Sequence, residues 1–126
     1  MDTLHRLIGY AVPAGFLLMS LWGLASFFRN RDPGGGFWNL LAALQVVIGI
    51  QFIVGAVLFL SGARPPTDPS WLHYIYGAFF PALVLGVAHR LAATRFARFP
   101  WAVFAVAGLV NAAATFRALQ TGLGVA

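Results

Sequence analysis

The sequence contains no cysteine, no lysine and no glutamate, and these absences exclude several kinds of chemistry. Without cysteine there can be no disulfide, iron–sulfur cluster or thiolate metal site. The three acidic residues lie outside the apolar runs, which argues against a transporter that couples to protons or sodium through a membrane carboxylate. All eight basic residues are arginines at the ends of apolar runs. Membrane topology accounts for that distribution, and we therefore expect no nucleic-acid partner.

Apolar residues dominate the rest of the composition. The chain has 126 residues, of which 60% are hydrophobic and 9% charged, and its mean hydropathy is +0.83. These values are typical of an integral membrane protein. A helix of about 20 apolar residues crosses a bilayer core, and four such segments are present. We predict one transmembrane domain over residues 1–126, all-α, with spans at about 4–28, 37–60, 70–89 and 101–120.

A sequence motif near the start of the chain is repeated in the third apolar segment. The same five residue types return at one constant spacing, 68 positions later: Leu4, His5, Gly9, Pro13 and Ala14 recur as Leu72, His73, Gly77, Pro81 and Ala82. We interpret this as an internal repeat. Short connections make neighbouring helices antiparallel, so the sequence predicts an up-down four-helix bundle made of two parallel two-helix repeats.

The spacing of the residues within the motif suggests a function for it. Residues four apart share one helix face, so a flat ligand held by His5 or His73 could lie against backbone at Gly9 or Gly77. The proline four residues further on cannot donate to the glycine carbonyl. We therefore expect bends at Gly9/Pro13 and at Gly77/Pro81, where this backbone bond is lost.

Two equivalent histidines suit a haem iron. In an up-down bundle the first and third helices can lie diagonally, so His5 and His73 can face one central site as axial ligands of haem b. We expect Arg6 and Arg117 to bind its propionates, since both should lie near the outer membrane surface. The residues expected to surround the macrocycle are apolar: Val12, Phe16, Phe79 and Phe80.

Other interpretations of the same residues remain open. Histidines in the first turn of a membrane helix often lie at the headgroup level, and a cofactor-free structural or assembly subunit would then suffice. The membrane amides Gln51 and Asn111 are expected to bond across helices, but a quinone carbonyl could also accept from such an amide, as in a quinone-interacting membrane anchor. A chlorophyll would need only one histidine, which would leave the pair unexplained.

The third histidine, His89, has no counterpart in the repeat. It lies sixteen residues after His73, about 24 Å along a helix, so the two cannot bind one metal. We interpret His89, followed by Arg90, as an interface residue on the cytoplasmic side. The alternative is a second site, in which it accepts protons or binds a metal with another residue or subunit.

The arginines also predict the orientation. Five of them lie in the first and third connections, namely Arg29, Arg31, Arg90, Arg95 and Arg98, against three towards the other side, Arg6, Arg64 and Arg117. The five should be cytoplasmic, with both termini outside, and we expect a bacterial inner membrane. Expected partners are the lipid bilayer and other membrane subunits or further copies of this chain.

The residues from His5 to Gly9, read as His-Arg-Leu-Ile-Gly, resemble the histidine-bearing helices of the haem A synthase family. In that family a His-Arg pair followed by a small residue faces a haem, and the pair of His89 and Arg90 is similar. More broadly, the chain resembles small four-helix membrane b-type cytochromes. The resemblance implies haem and an electron-transfer or accessory subunit of a respiratory or photosynthetic complex, rather than a stand-alone enzyme.

Overall fold

The computed structural model describes residues 3–124 and contains four long helices. They are α1 (Thr3–Phe28), α2 (Gly35–Leu60), α3 (Trp71–Ala93) and α4 (Pro100–Leu123). All four are long and apolar enough to cross a membrane. The predicted all-α four-helix bundle is therefore confirmed. The third helix continues past His89, where the sequence pattern placed its end, and its last turns carry Arg90.

Helix α4 lies at the centre of the packing. It contacts α1 and α3 along their lengths, while α1 also contacts α2, so that α1 and α3 are diagonal. Small residues allow this close approach. A Cβ atom added at Gly108 would lie 2.9 Å from Met19 Cε and 3.0 Å from the carbonyl oxygen of Phe16. A Cβ added at Gly23 would lie 2.8 Å from that of Ala105. Membrane helices, which gain little from excluding water, associate through such contacts.

The apolar core occupies only one half of the bundle. The buried residues of α2 lie between its start and its middle, at Phe37, Leu41, Leu44 and Ile48. They pack with buried residues of the other helices, such as Phe16, Met19, Leu85 and Phe104. After Ile48, α2 has no buried residue. The bundle is therefore closed at the end where α2 and α4 begin, and less tightly packed at the end where α1 and α3 begin, which we call the open end.

The two copies of the repeated motif differ in their backbone conformation. In α3 the residues before Pro81 form a π-helical turn, Ile75–Phe79, which includes Gly77. Such a turn is one of the ordinary ways in which a helix adapts to a missing hydrogen bond. In α1 the backbone remains α-helical across Pro13. The sequence predicted equivalent distortions, and the structure has a change of helix type in the second copy only.

Candidate functional site

A cavity lies between the four helices at the open end of the bundle. Its volume is about 780 Å³, and residues of all four helices and of the connection between α2 and α3 line it. Small-molecule sites in proteins have volumes of roughly 300–1,000 Å³. On the side of α2 the cavity wall includes two small residues, Gly55 and Ala56.

The repeated histidines meet in this cavity. The ring centres of His5 and His73 are 6.0 Å apart, and the ring planes are inclined by 64°. Two metal–nitrogen bonds of about 2.0 Å each, plus about one ring radius beyond each nitrogen, place two imidazole centres about 6 Å apart across a metal ion. The spacing is compatible with two ligands of one metal, and equally with an ordinary edge contact between two rings.

Helix α4 determines which nitrogen of His73 is available. The Nδ1 atom lies 2.9 Å from the carbonyl oxygen of Ala118 and 3.1 Å from Oγ1 of Thr121. A carbonyl oxygen can only accept, so Nδ1 carries the proton in this contact, and a neutral ring then has its lone pair on Nε2. Histidines that bind metals commonly donate their other ring N–H to a backbone carbonyl in this way. In His73 this contact leaves Nε2 as the nitrogen with the lone pair.

Thr121 connects this contact to the rest of the open end. Its side chain is completely buried, and its hydroxyl donates to the Ala118 carbonyl at 2.8 Å. Its own carbonyl accepts a hydrogen bond from the Thr67 hydroxyl in the connection between α2 and α3. The orientation of His73 is therefore fixed by α4 and, through Thr121, by that connection.

His5 is supported by α2 instead. It is 9% exposed, and its backbone carbonyl accepts a hydrogen bond of 2.9 Å from Nε2 of Gln51. A Cβ atom added at Gly55 would lie 3.3 Å from Cε1 of the His5 ring. Gly55 is therefore the glycine that leaves room for this imidazole. This contact could not be predicted, because nothing in the sequence shows which residue of α2 lies opposite His5.

The two glycines of the repeat line the cavity, but their closest neighbours are not the histidines. A Cβ added at Gly77 would lie 3.3 Å from Cβ of Ala118, so this glycine allows α3 and α4 to approach. A Cβ at Gly9 would make an ordinary contact of 3.5 Å with Leu119. Gly9 thus leaves modest room in the cavity wall, and the space predicted at Gly77 is shared with a helix contact.

Two arginines line the cavity, but they are only partly the predicted pair. Arg6 is one of them. The other is Arg64, whose guanidinium donates 2.8 Å hydrogen bonds to the carbonyls of Phe59 and Ala63 and lies 3.9 Å from the centre of the Phe59 ring. Arg117, predicted for this role, instead lines a separate groove between α3 and α4. Arg64 could have been found from its position directly after α2, on the same side as Arg6.

The apolar residues around the cavity also differ from those that the sequence predicted to surround the macrocycle. Val12 lines the cavity, whereas Phe16 is completely buried in the core of the closed half. Phe79 and Phe80 are exposed, and Phe80 borders the separate groove. The aromatic residue beside His73 is Tyr74, with ring centres 5.8 Å apart.

The remaining polar residues bond across helices. Asn111 is completely buried and donates to the Pro81 carbonyl at 3.4 Å, which joins α4 to α3 next to the π-helical turn. His89 lies far from the cavity, where its Nε2 shares a hydrogen bond with Gln45 of α2 and its ring packs 4.9 Å from that of Phe104. Within residues 3–124 there is no cluster of three or more histidine or acidic side chains that could hold a metal ion.

Fold and site together define a class: a four-helix bundle of membrane-spanning type with a cavity that two histidines of diagonal helices share. Comparison with protein-family models, with curated proteins and with solved structures finds no match to the chain. Its function is therefore argued from the site alone.

Proposed function

We propose that this chain is a membrane haem-b protein in which His5 and His73 are the two axial ligands of the iron. The observation that carries the proposal is the 6.0 Å separation of the two imidazole centres across the cavity. The contact of His73 Nδ1 with the Ala118 carbonyl supports it, because this contact leaves Nε2 for the metal. Two neutral nitrogen ligands from different helices are a usual arrangement for electron transfer.

The chain has residues that fit the other parts of a haem. The volume of about 780 Å³ is of the size that a cofactor requires, and most of its wall is apolar. Arg6 and Arg64 provide cations for the two propionates. When bound, haem b would supply one-electron reduction and oxidation. Because His5 and His73 would both hold the group, the proposed role is electron transfer or a haem-bearing accessory subunit of a larger complex, rather than oxygen chemistry.

The proposal includes an orientation in the membrane. Five of the eight arginines lie at the closed end, four in its connections and Arg90 in the last turns of α3, and this end is proposed as the cytoplasmic one in a bacterial inner membrane. The cavity and both termini are then on the outer side, where a redox partner would exchange electrons with the haem. Reporter fusions after Ala126 and after Phe96 test this, and a C-terminal reporter active only in the cytoplasm contradicts it.

A quinone site is the second candidate, and Gln51 favours it. Its Oε1 atom is buried without a hydrogen-bond partner among residues 3–124, although the side chain lines the cavity. A quinol hydroxyl could donate to this oxygen. The two candidates differ in what the purified protein contains, since only a haem protein shows strong visible absorption.

The deciding experiment is a reduced-minus-oxidised spectrum of the protein purified in detergent after expression with haem supplied. We expect the bands of a low-spin six-coordinate haem at one haem per chain. The variants His5→Ala and His73→Ala should each lose or severely alter these bands, whereas His89→Ala, a matched control far from the cavity, should keep them. Wild-type protein without haem bands would refute the proposal, and extraction of a quinone instead would favour the second candidate.

A further inference from the structure

A second, shallower depression lies on the outer surface of α3 and α4. It has a volume of about 430 Å³ and shares no lining residue with the central cavity. The floor is made by small residues of α4 such as Ala113, and its sides by Tyr76 and Phe80 of α3 and by Leu109. We call it the α3–α4 groove. Because it faces away from the bundle, in a membrane it would be open to lipid.

Arg117 is the one cation in this otherwise apolar groove. It precedes the end of α4 at Leu123 by six residues, about 9 Å along the helix, so it begins within the apolar span. The side chain is half-buried, and its guanidinium donates a long hydrogen bond of 3.4 Å to Oε1 of Gln120. An arginine at such a depth is costly unless an anion accompanies it.

The described part of the chain does not supply that anion. Between residues 3 and 124 the acidic side chains are Asp32, which lies in the connection at the closed end, and Asp68, and neither forms an ion pair with Arg117. The bilayer, however, offers phosphate groups at the level which a long arginine side chain reaches. A guanidinium binds a phosphate through two parallel N–H donors.

We propose that the α3–α4 groove binds one anionic phospholipid. The phosphate accepts from Arg117, and one acyl chain lies over Ala113 between Phe80 and Leu109. Tyr76, on the opposite side of the groove, is an amphipathic ring of the kind that lies at the headgroup level. An anionic headgroup fits better than a zwitterionic one, because the groove has no carboxylate to pair with a choline or ethanolamine cation. The proposal does not depend on haem binding.

The test measures lipid binding to the purified, delipidated protein by native mass spectrometry. Phosphatidylglycerol and phosphatidylcholine with identical acyl chains are the probes, and inorganic phosphate is a third. We expect the wild type to bind phosphatidylglycerol about five- to tenfold more tightly than phosphatidylcholine, the factor that one basic residue contributes near an anionic headgroup. Inorganic phosphate should neither bind measurably nor displace the lipid, because it lacks the acyl chain.

Two variants separate the headgroup from the acyl chain. Arg117→Gln should abolish the preference for phosphatidylglycerol, and Ala113→Trp should abolish binding of both lipids by filling the groove. The controls are Arg95→Gln, in the connection at the closed end, and Ala43→Trp, on the exposed face of α2, and both should behave as wild type. Equal binding of the two lipids by the wild type, or a preference that survives Arg117→Gln, would overturn the proposal. So would displacement by inorganic phosphate, or unchanged lipid binding in Ala113→Trp.

Discussion

Replacing Thr121 by valine tests how α4 would hold His73 as a ligand in the proposed haem site. Valine has nearly the same shape as threonine but no hydroxyl, so the change removes hydrogen bonds and leaves the packing of this completely buried position intact. Two contacts disappear: the one of 3.1 Å to Nδ1 of His73, and the one of 2.8 Å to the Ala118 carbonyl. The Ala118 carbonyl itself remains 2.9 Å from Nδ1 and can still accept its proton.

The expected magnitude follows from this partial loss. Removing the partner of a metal-binding histidine typically weakens metal binding by about 10- to 100-fold. Because the stronger of the two acceptors of Nδ1 is retained in Thr121→Val, we expect the lower limit, about tenfold, which corresponds to about 1.4 kcal/mol. The free energy of unfolding of the haem-free protein should fall by about 1 kcal/mol, as for an ordinary buried hydrogen bond.

The assay is titration of haem into the haem-free protein in detergent, followed by a redox titration of the complex. Thr121→Ser should bind haem as the wild type does, because it restores the hydroxyl. The control is Thr94→Val, directly after α3 at the closed end, where the hydroxyl donates to the Arg90 carbonyl at 2.7 Å and the residue does not line the cavity. It should lower the stability of the protein without changing its affinity for haem. Equal haem affinities and potentials in Thr121→Val and the wild type would refute the role assigned to this hydroxyl.

Two further substitutions test the site and the packing. Gly55→Leu should prevent haem binding by crowding His5, since even a Cβ there would lie 3.3 Å from the ring. The control Gly49→Leu, where an added Cβ has nothing within 4 Å, should keep the haem spectrum. Equal spectra of the two variants would contradict the contact between Gly55 and His5. Gly108→Ala should destabilise the bundle by about 1–3 kcal/mol, as overpacking does. Thermal unfolding in detergent measures this change in stability. The control Gly86→Ala, where an added Cβ meets nothing within 4 Å, should have little effect. A similar loss of stability in both variants would show that α1 and α4 are not held as closely as described.

The architecture and the meeting of the two histidines could be predicted from the sequence because both depend on position along a helix. Apolar runs give the number of spans, and short connections make them alternate, so equivalent residues of α1 and α3 lie at the same level. The spacing of the repeat then brings His5 and His73 to one end of the bundle.

The parts that could not be predicted depend on rotation about the helix axis. Arg117 was placed by counting residues, which gives depth but not direction. Its neighbour Ala118 lines the central cavity, while Arg117 lines the α3–α4 groove, since consecutive residues of a helix point about 100° apart. The same limit concealed Gly55 and Thr121, because small and hydroxyl-bearing residues occur on every side of these helices.

The supports of the two histidines are alike in position but differ in kind. Each histidine is held by the helix that follows its own. Gln51 of α2 lies 46 residues after His5, and Ala118 of α4 lies 45 residues after His73. The contacts differ, however, since α2 binds the backbone of His5 and α4 binds the ring of His73. A ring that donates to a carbonyl is a more basic and more firmly oriented ligand. It follows that, in the proposed haem site, α4 would set the orientation of the His73 ring, whereas α2 positions the backbone that carries His5.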